Sequence, residues 1–92
     1  MRQYMQKLTD AWHAANVYSM GEKTASFKGK VFYSYSTPIA FKHDGVIYIN
    51  ANRYSKTTTC QVLALKEYAQ AHRFRVQEVT EEQIKELIKP YK

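Results

Sequence analysis

Apolar side chains open the chain at helical spacing: Tyr4, Met5, Leu8, Trp12 and Ala15 recur every three or four residues. That stripe predicts an amphipathic helix over about residues 2–15, with Trp12 anchoring it in the core and Asn16 suited to its end. The period then changes. Between residues 17 and 50, Val, Ile, Phe, Tyr and Thr dominate, punctuated by Gly21, Gly29, Pro38 and Asp44-Gly45, which predicts strands near 17–20, 24–28, 30–36, 38–42 and 46–50. A two-residue Asp44-Gly45 turn would divide the apolar residues of the last pair between two faces. A three-residue loop, His43-Asp44-Gly45, pairs Lys42 with Val46, Phe41 with Ile47 and Ile39 with Ile49. It gathers Ile39, Phe41, Ile47 and Ile49 on one face, turns Lys42, Val46 and Tyr48 to the other, and is the expected register.

Downstream, Thr58-Thr59-Cys60-Gln61 has the spacing of a capping box and predicts a helix starting there, with Val62, Leu65, Ala69 and His72 along its buried side. Arg73-Phe74-Arg75-Val76-Gln77 alternates in the manner of a half-buried or edge strand. Thr80-Glu81-Glu82-Gln83 is a second capping box; Ile84, Leu87 and Ile88 give the helix behind it an apolar side, and Pro90 stops it. The pattern is that of an α+β fold: an N-terminal helix, an antiparallel β-meander of four to five strands, a capped helix, a short strand and a C-terminal helix. A chain of 92 residues makes this one compact domain over residues 1–92.

Composition adds that the chain is an ordinary folded domain, 45% apolar and 24% charged. Its longest uncharged apolar run, Val46-Ile47-Tyr48-Ile49, is too short to cross a membrane. The first residues lack the apolar core of a secretory signal, so a cytoplasmic location is expected. Cys60 has no second cysteine to bond. The net charge of +6 is unevenly placed. Residues 23–56 carry Lys23, Lys28, Lys30, Lys42, Arg53 and Lys56 against Asp44 alone, and residues 57–75 add Lys66, Arg73 and Arg75 against Glu67. The excess therefore lies in the middle of the chain, which points to an anionic partner.

Catalytic chemistry finds little material. His13, His43 and His72 have no metal-ligand spacing, one cysteine cannot build a thiolate site, and the three glycines are isolated, so no metal, cofactor or catalytic constellation is expected. Cys60, placed in a first helical turn, reads as a small buried side chain. A small metal-free ribonuclease using His, Arg, Lys and Tyr is the enzymatic alternative. Binding has more to work with. Eight tyrosines are interleaved with lysine and arginine, and rings for base stacking with cations for phosphates are what single-stranded nucleic acid requires. Lys42, Tyr48, Tyr33 and Tyr35 are the candidates on the sheet. Arg53, Tyr54, Lys56, Thr57 and Thr58, in the connection to the second helix, are candidates for an anion site at that helix's N-terminus. The same tyrosines fit coverage by a helix or a homodimer interface equally well.

Three segments carry a resemblance: Ser36-Thr37-Pro38-Ile39-Ala40, then Ile47-Tyr48-Ile49-Asn50, then Arg53-Tyr54-Ser55-Lys56-Thr57-Thr58. Over about residues 30–70 the chain resembles small bacteriophage proteins of uncharacterised function. The resemblance implies a phage or prophage origin, and small early phage proteins often disarm host defences, including CRISPR effectors and cyclic-nucleotide signalling. The resulting expectation is a non-enzymatic binding protein that engages nucleic acid or a host nucleoprotein in the bacterial cytoplasm, with no membrane partner. Its alternatives are a sponge for a nucleotide signal and the metal-free ribonuclease.

Overall fold

The computed structural model describes residues 3–22, 24–52 and 55–91. Along the chain lie α1 (Gln3–Ala14), β1 (Ser19–Glu22), β2 (Ala25–Lys28), β3 (Val31–Ser34), β4 (Thr37–His43), β5 (Val46–Asn50), α2 (Lys56–Ala71), β6 (Arg75–Val79) and α3 (Glu81–Ile88), followed by a 3-10 turn at Lys89–Tyr91. The strands form one sheet in chain order. Neighbours are antiparallel from β1 through β5, whereas β6 returns across α2 to pair parallel with β5. The α+β class and element order expected from the sequence are therefore observed, with the short strand joined to the meander's last strand.

Helices cover both faces of the sheet. Under α1 and α2 lies the main core, with Met5, Leu8, Trp12, Phe27, Phe32, Ile47, Ile49 and Leu65 among its buried residues. Under α3 lies a smaller one of Val31, Phe41, Val79, Ile84 and Ile88. This two-sided burial overturns the expected hairpin register. Asp44-Gly45 is a two-residue turn with φ of +50° and +77°, so His43 pairs with Val46, Lys42 with Ile47, Phe41 with Tyr48 and Ala40 with Ile49. Positive φ at both positions is the hairpin geometry that Asp-Gly favours. Grouping the apolar residues on one face was the wrong criterion, because each face has its own helices to receive them. Phe41 and Tyr48 thus face α3, and Lys42 shares the α1/α2 face with Ile47.

A bulge shapes β4. Phe32 pairs with Ala40 and Tyr33 with Pro38, leaving Ile39 without a partner in β3, and Ile39 and Ala40 both enter the main core. Pro38 cannot donate to a ladder. The buried Asn50 side chain instead donates Nδ2 to Pro38 O (3.0 Å), and its Oδ1 accepts from Asn52 N (2.9 Å).

Helix starts follow the capping rule, once as expected and once not. Thr80 Oγ1 accepts from Gln83 N (3.1 Å) while Gln83 Oε1 accepts from Thr80 N (2.9 Å), completing the second capping box. The Thr58-Gln61 box does not form. Ser55 is the cap, its Oγ accepting from Thr58 N at 3.2 Å, so α2 begins earlier and Cys60 lies beyond its first turn. Thr58 points inward to Ser34 Oγ (2.9 Å), and Gln61 donates to Thr24 Oγ1 (2.9 Å) and Tyr4 Oη (3.2 Å).

Strand direction sorts the connections. The β2–β3 turn, the β4–β5 turn and the start of β6 share one end of the sheet with the C-termini of α1, α2 and α3; the β3–β4 turn, the end of β5 and the starts of α2 and α3 share the other.

Candidate functional site

The candidate residues fall at opposite ends and on different faces. Tyr35 is exposed, with a φ of +57°, in the β3–β4 turn, at the end where Lys56 is exposed, Thr57 half-buried and Thr58 buried. Arg53 and Tyr54 lie outside the described residues. Tyr33 and Tyr48 are half-buried against the small core under α3, and burial together with Tyr18 raises the Tyr33 pKa. Lys42 stands near the opposite end of β4, a strand of seven residues, or about 20 Å away. No single surface collects them.

At the end holding Lys56, the polar groups are already bonded to one another. A hollow of about 410 Å³ opens beside Asn50, Asn52, Thr58 and Thr59. Asn50, however, is engaged with Pro38 and Asn52, Thr58 with Ser34 and Ser55, and Thr59 Oγ1 with Ser55 O (3.1 Å). These bonds tie β5 to β4 and α2 to β3.

Lys42 has a different setting. Its ammonium lies 4.4 Å from the Trp12 ring centroid, with Tyr68 and Phe74 rings at 5.6 and 5.7 Å. It donates to Trp12 O (3.2 Å), a carbonyl in the last turn of α1, and to Tyr68 Oη (3.2 Å). Cations are favoured at helix C-termini and over aromatic faces. Burial opposes this and pulls the Lys42 pKa down to about 8, and burial pushes the Tyr68 hydroxyl up to about 12.

Tyr68 passes the effect on. Its oxygen is 3.0 Å from His13 Nδ1. Lys42 can only donate, so Tyr68 Oη accepts from it and keeps its O–H and a second lone pair for the contact with His13 Nδ1. The His13 ring stacks on His72 at 4.0 Å. Desolvation first, then His72 and Lys42, lower the His13 pKa, with Asp10 opposing.

Around this cluster spreads a basic surface. Lys28, Lys30, Arg73 and Arg75 are exposed on the two turns and strand starts of this end, beside Lys42 and all three histidines. Carboxylates here are few: Asp44 is paired with His43 (3.1 Å), Glu86 in the last turn of α3 with Lys89 (3.3 Å), and Asp10, one turn up α1, accepts from Gln6 (2.8 Å). Exposed rings stand among the cations. Tyr18 is 63% exposed and Tyr91 46%, the latter 5.6 Å from Lys30 Nζ. The Tyr18 ring lies against Gly29, where an added Cβ would approach Tyr18 Cε1 to 3.2 Å; Gly29 also has a φ of +59° and accepts a 3.0 Å bond from Trp12 Nε1.

Sequence reasoning named Lys42 but missed its companions Trp12, His13, Tyr68, His72 and Phe74. The available cue was the alternation of a meander: successive turns fall at opposite ends, so Lys28-Gly29-Lys30 and His43-Asp44-Gly45 had to be neighbours.

Among the described residues no group of three or more His, Cys, Asp or Glu is placed to hold a metal ion, and no helix is long and apolar enough to cross a membrane. The class defined by this geometry is a small α+β domain with a two-faced six-stranded sheet and one basic end. Residues 5–81 match a family model described as "Family of unknown function (DUF8033)", and the chain belongs to that family. No curated protein and no solved structure matches it.

Proposed function

We propose that this protein binds nucleic acid, preferentially single-stranded, through its basic end and without catalysing a reaction on it. One observation carries the reading: loops distant in sequence bring Lys28, Lys30 and Arg73 to the same end of the sheet, beside exposed Tyr18 and Tyr91. Cations set among exposed rings suit a chain of phosphates and unstacked bases. The resemblance to phage proteins adds a setting, a host defence nucleoprotein whose nucleic acid such a surface would engage.

The test is fluorescence anisotropy with labelled single-stranded RNA and DNA over a salt series. Affinity should fall steeply with salt. Combining Lys28→Gln, Lys30→Gln and Arg73→Gln should weaken binding about tenfold or more and flatten the salt slope by about 0.7 per phosphate contact removed, whereas Lys56→Gln should leave it unchanged. Salt-insensitive binding, or an equal loss from Lys56→Gln, rejects the assignment. Stoichiometric uptake of a cyclic mononucleotide, with no gain for longer oligonucleotides, selects the nucleotide-sponge alternative.

A further inference from the structure

Two strands border the sheet, β1 and β6. In the first, Ser19 and Gly21 are exposed, while Met20 packs against the main core and Glu22 is held by Lys7 of α1 at 3.7 Å. The second is open: Arg75, Val76, Gln77 and Glu78 are all exposed, and Val76 keeps 43% of its surface.

Backbone directions in β6 are fixed by two bonds. Arg75 N donates to Gly45 O (3.0 Å) and Val79 O accepts from Ala51 N (2.8 Å), so residues 75, 77 and 79 direct their polar groups toward the β5 side. In a parallel pair alternate residues point the other way. Val76 and Glu78 therefore present both N–H and C=O outward, as an unpaired edge. Side chains divide as well. Gln77 and Val79 line an open hollow on the α3 side with Glu82 and Glu86, and Arg75 shares that face; Val76 and Glu78 lie on the α2 side with Phe74 and Lys66.

We propose that β6 is the docking edge for a second copy of this chain, the two β6 strands pairing antiparallel about Gln77. Side chains of directly opposed residues must share a sheet face, and this register satisfies that rule at every position. Val76 lies opposite Glu78 of the second copy and exchanges both backbone bonds with it, and the symmetric pair does the same. Arg75 lies opposite Val79 of the second copy, at the hollow bordered there by Glu82 and Glu86, so a cation meets two carboxylates twice in the dimer. The two-fold axis runs through the sheet and reverses the strand direction, which sends the two basic ends to opposite poles. The net charge of +6 on each copy therefore does not gather at the contact.

Analytical ultracentrifugation of the full chain should show a concentration-dependent dimer. Val76→Pro removes an outward donor while leaving the bonds to β5, and should weaken dimerisation about tenfold or more. Arg75→Glu should weaken it too, and adding Glu82→Arg should restore it. Since proline can also unsettle an edge strand, a second variant reads proximity directly. In a Cys60→Ser background, Gln77→Cys should form an intermolecular disulfide on mild oxidation, because residues at a non-hydrogen-bonded antiparallel position lie within bonding range; Gln70→Cys on α2 should not. A native chain that sediments as a monomer at every concentration overturns the proposal, as does a dimer insensitive to Val76→Pro or a Gln77→Cys chain that fails to cross-link. The readout is oligomeric state and does not depend on nucleic-acid binding.

Discussion

Where α2 and α3 begin, the polar side chains Ser34, Asn50, Ser55 and Thr58 bond to one another or to backbone; where all three helices stop, Lys28, Lys30 and Arg73 stand exposed around a single enclosed cation, Lys42. Both ends are polar in sequence. The difference lies in partner supply. At the first end a bulge, a proline and a helix start leave backbone groups that side chains can reach, so polarity becomes structure. At the second, neighbouring segments meet the turn carbonyls, Trp12 Nε1 at Gly29 O and Arg75 N at Gly45 O, and the long cationic side chains other than Lys42 are left to solvent or ligand. A run of polar residues is therefore poor evidence for a binding site until its internal bonds are known.

This contrast can be broken most forcefully at Asn50. Asn50→Ala deprives buried Pro38 O of its donor and Asn52 N of its acceptor, and should cost about 1–3 kcal/mol in urea unfolding, with nucleic-acid affinity of the folded protein unchanged. A loss of affinity without a loss of stability would reverse the roles of the two ends. Next comes Lys42→Met, which keeps the side chain's length and removes the charge. Folding lowers the Lys42 pKa to about 8 from 10.5, so between these values the unfolded chain holds more protons and native stability gains from this group as pH rises. The gain should be seen from pH 8 to about 10, before the Tyr68 hydroxyl acts in the opposite sense. Thermal melts of Lys42→Met should lack that rise. The smallest effect is expected at His13. Its pKa is lowered in the fold, so the unfolded chain protonates first, and the stability it contributes is present above about pH 6.5 and lost as pH falls through the folded value. His13→Phe, which keeps a ring against His72, should flatten the acid limb of a melting-temperature profile.

Much of the architecture was legible because it rests on local rules. The Tyr4–Trp12 stripe and the Thr80–Gln83 box each identify an element from its own residues, whereas the alternation of Arg73–Gln77 finds a strand but misplaces it: β6 runs Arg75–Val79, and Arg73 lies in the turn before it with a φ of +61°. The hairpin register was not legible, since it depended on α3 covering the face that receives Phe41 and Tyr48. The start of α2 was misjudged for a similar reason: Thr58 and Ser55 are both competent caps, and the pocket beside Ser34 draws Thr58 inward. The basic end was legible only as an excess of charge in the middle of the chain. Its position required knowing which turns share an end, and the enclosure of Lys42 required knowing that α1 and α2 finish side by side.

The return of β6 across α2 also bears on the order of assembly. Strands β1 to β5 each pair with their nearest neighbour in sequence, so they can zip together through short closures. Pairing Val46–Asn50 with Arg75–Val79 requires the intervening chain, including the whole of α2, to be brought back first. The sixth strand is then the latest to arrive and the first to leave. In native-state hydrogen exchange, the amides of Gln77 and Val79, together with those of Ile47 and Ile49 that face β6, should open at lower free energy than the amide of Tyr48, which faces β4.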